Sequence, residues 1–457
     1  MRIHGVATTT AVAVVAALCA VTPAGAASCV PIEPGRSRPL LARVPVLMTA
    51  QMTATRDGGA VIAFASYRGT REFPGRNFTV LALDASGCVR WHASLPGMWP
   101  IARPVEAGAG TILVASSGPS DPSAPATEGL RLRTLAASTG RVLRRDVFRS
   151  LASSTGRPPT LLSDRRGDVA VVLAAVEPSS SPRGATPVTL KLTRRAHTTH
   201  WSRQVLAHAN GQPPAAAARS DGGMAVGYPR VGRFWVRTGT VAGRLGRPVD
   251  AGPIARNPGP SAVALGPDGT VAAVWQSGAY RRVWRLRAAV RPSTATRFAR
   301  FRQLGLGTRF LAETSPAVRV GAGGEVTAGF VAPSASRGGR RLMCAQATSA
   351  GRFGAARQVA LGGPFNILDQ SPVLFGPVDS AAVVATVPND TGSSTSLVGV
   401  DAGCAPRGSQ TLDPDAGSPQ QAVVDSRGRT WVLGQNLYGA SISGRRDLLL
   451  TIAAPVG

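Results

Sequence analysis

Short apolar runs rich in Ala, Val and Leu recur along the chain, each interrupted by a turn of Asp and Gly before a second run begins. The pattern is plainest from Pro260 to Trp275, where alternating small apolar residues precede Asp268-Gly269 and a second apolar run follows. Two apolar runs joined by such a turn predict a β-hairpin. The same unit returns from Pro316 to Phe330 around Gly324, from Pro214 to Val226 around Asp221 and Gly223, and from Pro159 to Val172 around Asp164 and Gly167. Weaker copies run from Asp57 to Phe64, Gly108 to Val114 and Asp425 to Trp431.

The turn glycines stand at 59, 110, 167, 223, 269, 324 and 428, with gaps of 51, 57, 56, 46, 55 and 104. The last gap spans two repeats, and Pro372 to Val384 is the copy between them, without its turn glycine. Each unit has a second half: Leu81 to Trp91 reads as strand, tight turn and strand, and Leu135–Leu143, Leu192–Trp201 and Val400–Cys404 repeat it. Four strands per unit of roughly fifty residues are the signature of a propeller blade. The predicted fold is all-β, a single β-propeller of four-stranded blades, eight in number with seven as the alternative count. The chain ends on Leu448–Ile452, which reads as a third strand with no fourth behind it. Pro39 to Leu47 is expected to supply that fourth strand, closing the ring and removing a free sheet edge.

The N-terminus adds a compartment. Arg2 and His4 open the chain, Val6 to Val21 is apolar apart from Thr8–Thr10, and Thr22 to Ala26 is a run of small residues suited to cleavage. A secretory signal over 1–26 is expected, with the propeller over 27–457 and cleavage after Ala27 as the alternative. The apolar stretch is short for a bilayer span. Cys29 follows small residues as a lipidated cysteine would, but Ala26-Ala27-Ser28 lacks the large aliphatic residue of such sites. The expected location is extracytoplasmic: secreted, or associated with the cell wall. Removing Cys19 with the signal leaves Cys29, Cys88, Cys344 and Cys404, an even set for which three connectivities exist. Cys29 lies beside blade one, which carries Cys88, and Cys344 and Cys404 fall on blades six and seven. Cys29–Cys88 and Cys344–Cys404 are therefore expected.

Charge changes the picture again. The 457 residues carry 51 Lys and Arg against 24 Asp and Glu, a net charge of +27, and Lys191 is the single lysine. The densest basic segment is Arg281 to Arg302. On a strand, Arg281, Arg285 and Arg287 share one face, with Trp284 and Leu286 on the other. With Arg300 and Arg302, next to Arg297, they form the candidate anion-binding set, since guanidinium forks suit carboxylate and phosphate. A second concentration comprises Arg131, Arg133, Arg141, Arg144, Arg145 and Arg149. The expected partner is an anionic envelope polymer or another envelope protein; the alternative is a solvated surface with no particular partner. With 5% aromatic residues, base-stacking platforms for nucleic acid are not expected.

The second-half motif resembles the repeat of quinoprotein-type (PQQ-like) propellers, A-x-D-x-x-T-G-x-x-x-W. Ala82-Leu-Asp84-Ala-Ser86-Gly87-Cys-Val-Arg-Trp91 matches it with one residue deleted. Leu135 to Arg144 keeps its spacing with Ala for Asp and Arg for Trp, and a third copy has Trp201 in register with His197 in the glycine slot. The resemblance covers the first three blades; the later ones look like the Pro…Asp-Gly repeats of exported actinobacterial propellers. That family includes dehydrogenases that bind a quinone and calcium, and cofactor-free envelope scaffolds similar to BamB. The dehydrogenases show adjacent cysteines and acidic calcium ligands, whereas this chain has no Cys-Cys pair and only seven Glu. The resemblance implies a scaffold without cofactor.

Candidate chemistry is sparse. His197-Thr-Thr-His200 is the only close His pair, and at this spacing on or beside a strand the imidazoles point apart, so no metal site is expected. Asp57, Asp164, Asp221, Asp268 and Asp425 sit in hairpin turns, where an Asp hydrogen-bonds its own backbone. Asp425-Ser-Arg-Gly428-Arg-Thr-Trp431 is one residue too long for the S-x-D-x-G-x-x-W box of sialidase-type propellers. No catalytic residue is assigned. The expected function is a non-catalytic binding scaffold. The alternative is a divergent propeller enzyme, a quinone-dependent dehydrogenase or a carbohydrate-active hydrolase or lyase.

Overall fold

A computed structural model describes residues 29, 31–44, 47–66, 77–96, 102–108, 110–117, 129–149, 151–153, 158–177, 186–208, 213–255, 258–278, 283–308, 316–333, 340–348, 351–359, 373–375, 381–389, 392–401, 403–412, 418–435 and 446–455. The expected signal segment lies outside them. Thirty-three strands, β1 to β33 in chain order, form eight antiparallel sheets among these residues. Seven are consecutive meanders: 47–96, 105–148, 152–208, 215–253, 258–308, 317–358 and 373–411. In the third, the short pieces β10 (Ala152–Ser153) and β11 (Thr160–Ser163) both pair with β12 (Val169–Glu177).

The eighth sheet is built from both ends of the chain. Its order is β31 (Ser418–Val424), β32 (Thr430–Gln435), β33 (Arg446–Ala453) and then β1 (Ser37–Val44), the expected closing strand. Ser37 pairs with Thr451 and Pro39 with Leu449. The Ser37 and Thr451 hydroxyls lie 2.8 Å apart. The neighbouring N-terminal backbone joins both flanking blades, through Gly35 N–H to Ile452 O at 2.9 Å and Ile32 N–H to Ser86 O at 3.1 Å. Cys29–Cys88 and Cys344–Cys404 form as expected, with Cα separations of 5.9 and 5.7 Å. The first ties the closing segment to blade one; the second ties blade six to blade seven.

The core lies between blades. Val61, Phe78 and Trp91 pack against Ile112 and Leu135 across junction 1–2. Phe234 and Val236 meet Val271 and Trp275 across junction 4–5, and Met52 and Ile62 meet Trp431 and Leu450 at the closure. The second strand of a blade is covered on both faces, so it is apolar at nearly every position: Val271-Ala-Ala-Val-Trp275 is wholly buried. It is the second apolar run that follows the Asp-Gly turn in sequence.

The turn chemistry follows the expectation for Asp. Asp164 Oδ1 accepts from Arg166 N–H at 2.9 Å and Asp168 N–H at 3.0 Å, and Asp425 Oδ1 accepts from Arg427 and Arg429 at 2.8 and 3.0 Å. Asp57, Asp221 and Asp268 each accept from a backbone N–H two residues on. In the two Asp-Gly-Gly turns the left-handed residue is the first glycine, Gly58 at φ 86° and Gly222 at φ 96°. The second is required for another reason: a Cβ on Gly59 would stand 2.1 Å from Leu83 O.

Candidate functional site

Among the described residues the predicted cationic set does not line one cavity, although Arg285 and Arg287 share a strand face. Arg281 lies outside the described residues. Arg285 and Arg287 are on β21 (Val283–Arg291), the third strand of blade five, and Trp284 and Leu286 are buried opposite them toward blade six. A third strand is pressed by a neighbouring blade on each face, so only Arg285 is exposed. Arg287 turns onto blade four. It donates through Nη1 to Pro253 O at 2.6 Å, and its guanidinium covers the Phe301 ring at 5.2 Å. Burial, together with the charge of Arg285, pushes its pKa down. Arg302 donates to Phe353 O of blade six at 3.1 Å. Of the predicted residues that are described, Arg300 lines a large cavity.

That cavity is an open cleft of about 870 Å³ on the outer wall at the junction of blades four and five. One side is β18 (Val249–Pro253), the outermost strand of blade four; the other is the loop between the third and fourth strands of blade five, Thr296 to Phe301. Arg233, Arg247, Arg297 and Arg300 reach it, and Asp250 is the one carboxylate in its lining. Arg233 pairs with Asp250, which raises the Arg233 pKa. Arg247, Arg297 and Arg300 are exposed and have no carboxylate partner among the described residues.

Several aromatic contacts converge under the floor. Phe234 stacks on Trp275 at 5.2 Å, and Trp275 meets Phe301 at 6.5 Å. Trp275 Nε1 and Arg287 Nη1 donate to the same carbonyl, Pro253 O, at 3.0 and 2.6 Å. Arg291 lies over Phe298 at 5.9 Å and donates to Thr238 Oγ1 at 3.2 Å. Gly252, at φ 149°, is pressed so close that a Cβ would come within 2.9 Å of Trp275. Arg233 and Arg247 carry no signal in sequence, because they come from a different blade than Arg297 and Arg300 and follow no local motif.

The second Arg concentration divides in the same way. Arg133 is buried, lies over Phe78 of blade one at 5.6 Å and donates to Ser116 Oγ at 3.3 Å. Arg144 pairs with Asp146 at 2.7 Å, while Arg141, Arg145 and Arg149 are exposed. His197 and His200 are exposed between the third and fourth strands of blade three. Among the described residues no group of three His, Cys, Asp or Glu could hold a metal ion.

Fold and site together define a closed eight-bladed β-propeller with an arginine-lined cleft between two blades. No protein-family model matches the chain, and neither does any curated protein. Among solved structures it is similar in fold to a protein of unknown function from Dyadobacter fermentans, at 13% identity over 92% of this chain and 99% of that one, with a TM-score of 0.40. It is also similar to a polysaccharide lyase (10% identity, 93% and 99% covered, TM-score 0.43). A third is the β-propeller domain of the Trilobed protease from Pyrococcus furiosus (10%, 79% and 94%, 0.38). Two disulfides fit an extracytoplasmic environment, and no helix among the described residues is long and apolar enough to cross a membrane.

Proposed function

We propose that the protein is exported after removal of 1–26 and acts as a non-catalytic scaffold that holds an anionic envelope polysaccharide in the cleft between blades four and five. The observation that carries this reading is the lining: three guanidinium groups without a carboxylate partner among the described residues, and a fourth in an exposed ion pair, around one cavity. Guanidinium forks take carboxylate or sulfate in bidentate fashion, and the net charge of +27 draws polyanions toward the ring. The lining includes no His, Tyr or Lys, and its single carboxylate is ion-paired, which favours binding over bond cleavage. The repeat resemblance in the first three blades favours the cofactor-free scaffolds of that family.

The test is binding of the mature protein to arrayed anionic and neutral glycans at low and physiological salt. Selective binding of carboxylated or sulfated glycans should survive physiological salt and disappear in Arg247→Gln, Arg297→Gln and Arg300→Gln. Equal binding of single-stranded DNA of the same charge, vanishing as salt rises, would reduce the cleft to a surface charge effect.

A further inference from the structure

Asp250 is out of place in a cleft that recruits anions. Its Oδ2 pairs with Arg233, and its Oδ1 accepts from Gly252 N–H at 2.9 Å. The backbone beneath is tied down: Pro253 O accepts from Trp275 and Arg287, and Gly252 lies so close to Trp275 and Phe301 that no side chain fits there. The carboxylate is therefore presented to Arg233 from that strand, with a backbone anchor that it keeps whether or not the ion pair is made. The pair is also accessible, with side-chain exposures of 47% for Arg233 and 30% for Asp250. An exposed pair of this kind contributes little to stability, so replacing it costs the fold little.

We infer that Asp250 is an internal stand-in for a ligand anion: it occupies the subsite at Arg233 and is exchanged for a carboxylate or sulfate group of the incoming polysaccharide. The inference rests on the cleft being the ligand site. It gives the cleft a filter. A lone anion must compete with a carboxylate tethered beside Arg233. A chain of anions first engages Arg247, Arg297 and Arg300, which have no such competitor, and displaces Asp250 as a second, effectively intramolecular step. The cleft therefore selects repeating polyanions over single anions.

The experiment measures affinity for a heparin-derived oligosaccharide and for inorganic sulfate at physiological salt, with each variant checked for an unchanged melting temperature. Asp250→Asn should tighten oligosaccharide binding about fivefold and make sulfate binding measurable. Asp268→Asn, which removes an exposed turn carboxylate elsewhere, reports the effect of net charge alone and should change affinity less than about twofold. In an Arg233→Gln background the gain from Asp250→Asn should vanish. A gain no larger than that of Asp268→Asn, or one that persists without Arg233, overturns the exchange. Oligosaccharide binding untouched by Arg297→Gln and Arg300→Gln overturns the cleft as ligand site, and the exchange with it.

Discussion

Arg429 on blade eight donates through Nη2 to Gly58 O on blade one at 2.8 Å, across the point where the ring closes. Its other donors reach Ala85 O and Asp425 Oδ2, each at 2.8 Å, and it covers the Trp431 ring at 5.6 Å. One guanidinium thus joins two turns of blade one to a fully buried carboxylate of blade eight. Arg429→Ala should lower stability by about 3 kcal/mol in urea unfolding, because it leaves that carboxylate without its countercharge. Arg429→Lys should recover only part, since an ammonium cannot span three acceptors in the geometry of a planar fork. Equal recovery by Lys would mean that charge, not bridging, is what the closure uses.

The closing strand has a covalent staple as well. Replacing Cys29 and Cys88 by Ser should cost about 3 kcal/mol and raise hydrogen exchange along Leu448–Thr451, the backbone that β1 covers. Replacing Cys344 and Cys404 should cost a similar amount without affecting exchange at Leu448–Thr451. Unchanged exchange there in the first variant would show that β1 holds its place by pairing alone.

Lys191, the single lysine, is buried at the junction of blades three and four. Its Nζ donates to Thr240 O at 2.7 Å and Gly243 O at 2.5 Å. Burial lowers its pKa from 10.5 to about 8. Between those values the unfolded chain binds the proton that the folded chain has released, so stability rises with pH. The neutral amine retains two hydrogens for the two carbonyls. Wild type should gain on the order of 2 kcal/mol relative to Lys191→Met between pH 8 and pH 10 in chemical denaturation. A constant difference across that window would mean that the amine is hydrated when folded. Because no other lysine exists, acylation of Lys191 read by mass spectrometry also reports opening of this one junction.

Val231 occupies the first position of a two-residue hairpin turn at φ 44°, with Gly232 following at 69° and Arg230 paired to Arg233. A β-branched residue is strained there, and at 85% exposure Val231 makes little packing in return. Val231→Asn, which suits this turn type, should stabilise the protein by about 1 kcal/mol without altering the cleft. Destabilisation on thermal melting would indicate a contact of Val231 that exposure conceals.

How far each feature was legible follows from how local its cause is. The hairpins of blades one, three, four, five and eight could be read because Asp57, Asp164, Asp221, Asp268 and Asp425 bond a backbone two residues away. The closing strand could be read because Leu448–Ile452 lacked a following partner. The exposure of Arg287 could not be judged from Trp284 and Leu286, since alternation sorts residues between two faces without saying that both are covered. In a propeller the inner strands are covered on each side, and an Arg there that does not reach solvent as Arg285 does must find a carbonyl or a ring, as Arg287 does at Pro253 of blade four and Phe301 of its own blade.

The sequence by itself determined an all-β propeller of four-stranded blades and pointed to its closure by the N-terminal strand and to the cysteine pairing. These depend on periodicity, turn chemistry and the order of elements, all of which lie along the chain. The choice of eight blades over seven and the two disulfides were decided by the structure. The tertiary structure alone decided which arginines meet. Arg233 and Arg247 stand about fifty or more residues from Arg297 and Arg300 and share a cleft because packing sets blade four beside blade five. Charges interact through space rather than along the backbone, so a site assembled from two blades leaves no spacing in the sequence by which it could be read.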